Sequence, residues 1–218
     1  MRAVLVLIVS LAFLAGCGGD DEAASDTTDS VATSITECAS VEAPEARNPE
    51  PGEAPSEPLD SSKTYTLTFD TSCGSFTATL DTELAPKTAA SLVALATAGY
   101  FDETIFHRVV PGFVIQGGDP TQSGGGGPGY STVDVPPSDG KYTQGVVAMA
   151  KSGVEAPGTS GSQFFVVTGA DAGLPPEYAI VGEVSDGIDT VMLIDALGVG
   201  DGPPSQPVVV NSVTVGES

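Results

Sequence analysis

Phe106-His107-Arg108-Val109-Val110-Pro111-Gly112-Phe113-Val114-Ile115-Gln116-Gly117-Gly118-Asp119 is the stretch from which the rest of the chain is read. Residues 105–110 and 113–117 are apolar, β-prone runs, and Pro111-Gly112 splits them as a turn signal. Neighbouring side chains on a strand point to opposite faces. Val114 and Gln116 therefore share one face, while His107 points away from Arg108.

Upstream, Tyr65, Leu67 and Phe69 alternate with polar residues, and after Thr71-Ser72-Cys73-Gly74 the alternation resumes at Phe76, Ala78 and Leu80. That period predicts a hairpin of half-buried strands. Pro86 suits the first position of a helix, Ala89, Leu92, Val93 and Ala96 form its apolar stripe, and Gly99 stands where it would end. Downstream, strand-like runs occur at 146–148, 164–168 and 179–184. A second helical stripe follows at Ile188, Val191 and Met192 with Gly198 behind it, and residues 208–215 supply a closing strand. Many short strands with two helices predict a mainly β domain. A closed antiparallel barrel would remove exposed edges, with the helices plugging its ends, although alternation by itself does not separate a barrel from a sandwich.

The 218-residue chain, 40% apolar, is long enough for one domain with appendages. A net charge of -22 excludes the basic surface that nucleic-acid binding requires. Residues 1–16 read as an export leader, with Met1-Arg2 ahead of an apolar run too short to span a bilayer. The leader ends in Leu14-Ala15-Gly16-Cys17-Gly18, which resembles the bacterial lipoprotein box, in which the cysteine is lipidated and becomes the new N-terminus. Residues 17–62 are rich in acidic residues, Ser, Thr and Pro, with Arg47 the one basic side chain. They read as a disordered acidic tether. Cys38 and Cys73 remain, and export places them where a disulfide between them would persist. With no C-x-x-C motif, nothing in the sequence supports zinc or thioredoxin-like chemistry.

The quoted stretch, together with Gly161-Ser162-Gln163-Phe164-Phe165, resembles the cyclophilins, and the likeness extends over 65–215. It implies a closed eight-stranded antiparallel barrel capped by two α-helices over residues 63–218. The implied activity is peptidyl-prolyl cis-trans isomerisation of exported Pro-containing polypeptides by a lipid-anchored monomer, with no cofactor or metal. Arg108 would donate to the twisted prolyl amide, and Gln116 would orient it. Phe113, Val114, Phe165, Leu174 and Tyr178 would surround the proline ring. The backbone of Ala150 and Lys151, with Gln163, would hold the residue before proline.

Lys151 departs from the family's usual asparagine, and Gly173 and Tyr178 stand where better-known members have tryptophan and histidine. The alternative reading, a Pro-segment binding module with little turnover, needs the recess but not the arginine donor. A hydrolase would need a base, and the only histidine is poorly placed for a Ser-His-Asp arrangement. The glycines at 124–127 are followed by no Gly-Lys-Ser/Thr and read as a rim loop. Intact mass spectrometry of the exported protein is expected to show a chain beginning at an acylated Cys17. A chain cut elsewhere, or free of acyl groups, contradicts the anchor.

Overall fold

The computed structural model describes residues 37–218. Residues 1–36, which include the stretch expected to be an export leader, Cys17 and the first part of the expected tether, lie outside the described residues. Strands β1 (Tyr65–Thr71) and β2 (Gly74–Leu80) form the expected hairpin, with Leu67, Phe69, Phe76 and Ala78 buried by the alternation. Helix α1 (Pro86–Thr97) starts at its proline and buries Ala89, Leu92 and Ala96. Short strands β3 (Thr104–Ile105), β4 (Arg108–Val110), β5 (Val114–Gly117) and β6 (Thr132–Val133) follow. The chain continues through β7 (Val146–Met149), β8 (Thr159–Ser160), β9 (Phe164–Val167) and β10 (Ile180–Asp186). Helix α2 (Ile188–Asp195) and β11 (Val209–Glu217) complete it.

The main antiparallel sheet has nine strands in the order β3-β11-β1-β2-β10-β7-β9-β5-β4, where eight are expected from the sequence. The difference has a local cause. The run 105–110 breaks at Phe106-His107 into β3, which pairs with β11, and β4, which pairs with β5. The edge strands of the curled sheet are thus joined by two residues of chain. Strands β6 and β8 form a separate pair, too short and too polar to have left a period in the sequence.

Inside the curl, Phe69 stacks on Phe76 at 4.7 Å, and Phe101 and Phe106 meet Phe164 edge-on. Strands β5, β7 and β9 are apolar on both faces. Ile115, Met149, Phe164 and Val166 join this interior, while Val114, Ala148, Phe165 and Val167 form a second cluster on the outer face with Tyr142.

Residues 37–62, assigned from the sequence to the disordered tether, contain no helix or strand, yet they are laid along the domain. A disulfide joins Cys38 to the buried Cys73. Beyond it, Arg47 donates from Nη2 to the carbonyls of Tyr100 (3.0 Å) and Asp102 (2.5 Å). Backbone bonds run from Arg47 N–H to Pro120 and from Gly52 N–H to Pro128, both at 2.8 Å. Composition carries no trace of a covalent tie or of a single arginine finding two carbonyls.

These last contacts back the loop at 119–129, which is organised by buried Asp119. Its carboxylate accepts from the backbone N–H groups of Thr121 (2.8 Å), Gly124 (2.7 Å) and Gly126 (3.1 Å), and from the Thr121 hydroxyl. A Cβ on Gly126 would fall 2.0 Å from Asp119 Oδ1, so only glycine permits this close approach. Burial pushes the Asp119 carboxyl up, but the hydrogen bonds from Thr121, Gly126 and Gly124 outweigh it and hold the group below its ordinary value.

The Cys38–Cys73 separation of 35 residues implies about 3–4 kcal/mol of stabilisation through the unfolded chain. Reduction is therefore expected to lower the urea midpoint clearly, and an unchanged midpoint contradicts this. Because the folded carboxyl of Asp119 is depressed, its contribution is present above the unfolded value, near pH 4, and is lost as pH falls through the folded one. Asp119→Asn sets an amide against the loop N–H groups, so it is expected to destabilise by about 1–3 kcal/mol at neutral pH and to flatten the acid limb of the stability profile. An acid limb of wild-type steepness would show that other carboxylates govern it.

Candidate active site

A surface depression of about 250 Å³ lies over the outer cluster. Strand alternation builds it. Phe165 on β9 and Val114 on β5 point outward because Phe164 and Ile115 point in, and Phe113 precedes β5 on the same side. Leu174 and Tyr178, from the connection before β10, close the apolar wall. The Tyr178 ring meets Phe165 edge-on at 5.7 Å and Tyr142 at 6.0 Å. Fully buried Tyr142 pins Tyr178 by its backbone, with its hydroxyl donating to Tyr178 O at 2.7 Å and accepting from Tyr178 N–H at 3.0 Å. Burial pushes the Tyr142 phenol up, so it stays protonated and able to donate.

The opposite edge is polar. Arg108 and Gln116 are direct cross-strand partners, and Arg108 Nη1 donates to Gln116 Oε1 at 3.2 Å. Gln116 Nε2 donates to Gln163 Oε1 at 3.1 Å, and Gln163 Nε2 to the Gly126 carbonyl at 2.9 Å. This chain connects Arg108 to the loop that Asp119 organises. On its other edge the guanidinium meets Asp201, with Nε at 2.5 Å and Nη2 at 3.1 Å from the carboxylate oxygens.

The structure therefore brings Arg108, Phe113, Val114, Gln116, Ala150, Lys151, Phe165, Leu174 and Tyr178 to one depression. Gln163 lines an adjoining groove, joined to the first through Gln116, Ala150 and Lys151. Ala150 N–H already donates to Gln163 O at 2.9 Å, so its carbonyl rather than its N–H is the group left for a bound chain. The Lys151 Nζ donates to Glu155 O and Ser152 O and pairs with the Glu177 carboxylate. His107 does not line the depression. Burial pushes its imidazole below the ordinary value, and neither ring nitrogen has a hydrogen-bond partner among the described residues. Gly173 does not line the depression, and a Cβ there would meet nothing within 4 Å.

Tyr142 and Asp201 carry no signal in the sequence. Tyr142 sits in an irregular connection, and Asp201 lies between two glycines in the loop after α2, where no period or motif marks either.

Residues 66–215 match the family described as cyclophilin type peptidyl-prolyl cis-trans isomerase/CLD. The probable peptidyl-prolyl cis-trans isomerase A of Mycobacterium leprae is 36% identical over 170 residues, covering 69% of this chain and 91% of that protein. The peptidyl-prolyl cis-trans isomerase-like 1 protein of Emericella nidulans is 44% identical over 126 residues, covering 56% and 76% respectively. Among solved structures, a cyclophilin-type isomerase from Cryptosporidium parvum superposes with a TM-score of 0.64 at 31% identity, covering 70% of this chain and 98% of that one. The same Cryptosporidium protein, determined in the presence of the dipeptide Ala-Pro, gives a TM-score of 0.63. By fold and by sequence alike, the chain belongs to the cyclophilin-type peptidyl-prolyl cis-trans isomerases and is an isomerase of X-Pro bonds.

Proposed function

We propose that this isomerase works by holding the proline ring in the recess of Phe113, Val114, Phe165, Leu174 and Tyr178 while Arg108 donates a hydrogen bond to the prolyl nitrogen as the amide twists. The observation that carries this reading is a guanidinium fixed beside an apolar recess, bonded to Gln116 and Asp201. The reaction makes and breaks no covalent bond. Its barrier of about 18–20 kcal/mol is the loss of amide resonance. In the twisted state the nitrogen regains its lone pair and accepts a hydrogen bond that the planar amide does not. A donor already in place therefore stabilises the barrier more than either ground state.

Gln116 contributes by tying the guanidinium to Gln163 and the 119–129 loop. The Ala150 carbonyl and the Lys151 backbone stand along the groove, where an extended chain would be held by main-chain bonds. That the Cryptosporidium relative was determined with Ala-Pro supports a Pro-containing ligand for the recess.

The clients are exported proteins, reached from a lipid anchor at Cys17. The apolar leader with its terminal cysteine supports this, as does a disulfide between Cys38 and Cys73, which persists only outside a reducing compartment. Proline-limited folding, slow without catalysis, supplies the need.

Arg108→Ala is expected to lower kcat/KM for a short X-Pro peptide by about 10²–10³-fold, with circular dichroism unchanged because the side chain lies outside the core. Turnover near that of the wild type would overturn the donor role.

A further inference from the structure

The loop that follows α2 is fastened to β4 by its backbone. Val109 N–H donates to Gly202 O at 2.8 Å. Gly198 lies so close to Pro111 that a Cβ there would come within 2.6 Å of the proline ring. Arg108 precedes Val109 and Asp201 precedes Gly202, so these backbone contacts deliver the carboxylate to the guanidinium. The pairing is two-toothed, with Nε to Oδ1 at 2.5 Å and Nη2 to Oδ2 at 3.1 Å.

Stability does not account for this arrangement. The Asp201 side chain is 68% exposed and that of Arg108 30%, and exposed ion pairs contribute little to folding. Geometry does account for it. A guanidinium has five N–H groups; Asp201 takes two and Gln116 one, leaving two uncommitted at the depression. Gln116 alone would hold the group through a single 3.2 Å bond, about which it could swing. A planar fork gripped on one edge by a carboxylate has one orientation.

We propose that Asp201 is a positioning residue of this isomerase, clamping the outer edge of Arg108 so that its free N–H groups face the twisting amide. The idea rests on the reading of Arg108 as the donor. Asp201 does not line the depression and acts through the arginine. Its carboxyl is held below the ordinary value by the hydrogen bond from Arg108, so the clamp stays charged at neutral pH.

The experiment compares Asp201→Ala, Asp201→Glu, Arg108→Ala and the Arg108→Ala/Asp201→Ala double variant. Each would be assayed for kcat and KM on one X-Pro peptide, and the Arg108 Nε–H signal followed by ¹⁵N NMR. Asp201→Ala is expected to lower kcat about tenfold through misorientation of the donor, with KM changed by less than about twofold. Asp201→Glu is expected to recover much of that loss, because the longer acid can still reach from an exposed loop. The Nε–H signal should lose its protection from exchange in Asp201→Ala, which reports release of the clamp, while a fall in kcat at constant KM that Asp201→Glu repairs is what a purely structural role would not cause. The double variant should be no worse than Arg108→Ala. If Arg108→Ala is crippled while Asp201→Ala keeps the wild-type kcat, the positioning role is overturned and the donor role stands. If Arg108→Ala is itself fully active, the donor reading falls first and the clamp with it. A further loss in the double variant would show that Asp201 acts by some route other than Arg108, and would also overturn the proposal.

Discussion

The pairing of β4 with β5 places Arg108 opposite Gln116, and that of β5 with β9 places Gln116 opposite Phe165. Three side chains from three strands therefore stand in one row on the outside of the curled sheet. Between them along the strands, Val109, Ile115, Phe164 and Val166 fill the interior. Period-two alternation makes these two facts one constraint. A slip of one residue would carry the guanidinium into a cluster of Phe76, Phe106 and Phe164 that offers no carboxylate, at a cost of several kcal/mol for an unpaired ion. The same slip would take Ile115 out of the interior and onto the outer face. The register of the site is thus enforced by the core beneath it rather than by the polar contacts above it.

A second layer of support runs away from the depression. Gln116 leans on Gln163, Gln163 on the Gly126 carbonyl, and the Gly126 N–H on Asp119. Behind that loop lies the segment fixed by the Cys38–Cys73 bond, which donates to Pro120 and Pro128 and accepts at Pro44 from Gln122 Nε2 at 2.8 Å. Glycine at 126 lets the loop close tightly over Asp119 but supplies no side chain to stiffen it. The carboxylate within and the strap behind make up that deficit. A loop poor in side chains can then present a backbone carbonyl at a fixed place.

What is legible in the sequence follows from which interactions leave a period. Hairpin β1–β2, helix α1 and the apolar runs of β5, β9 and β11 each bury a face, and burial of a face imposes alternation or a helical stripe. The nine residues lining the depression are legible only through the motif, since Val114, Phe165 and Leu174 look by composition like core residues. Asp201, Tyr142 and the strap are not legible. Each works through a contact between segments far apart in the chain, as with Arg108 and Asp201, 93 residues apart. A single polar residue in a loop has no neighbour in sequence that reveals its partner. The ninth strand escapes for a related reason: the break at Phe106-His107 reflects a change of partner from β11 to β5, not a change in residue pattern.

Lys151 shows how a departure from the family pattern is absorbed. Its side chain is 2% exposed, a placement that is costly for an ammonium unless its hydrogens are satisfied. Two carbonyls accept from it, Glu155 O at 3.2 Å and Ser152 O at 3.4 Å, the Glu177 carboxylate pairs with it at 3.1 Å, and the nitrogen lies 5.4 Å from the centre of the Tyr178 ring. Glu177 keeps its own side chain 46% exposed, so only one member of the pair is desolvated. The lysine consequently ties the 151–155 turn to Glu177 and Tyr178. Tyr178 is then held by Lys151 on one side, by the Tyr142 hydroxyl through its backbone, and by the Phe165 ring edge. Fixed from these three directions, Tyr178 keeps its place in the wall of the recess beside Phe165 and Leu174.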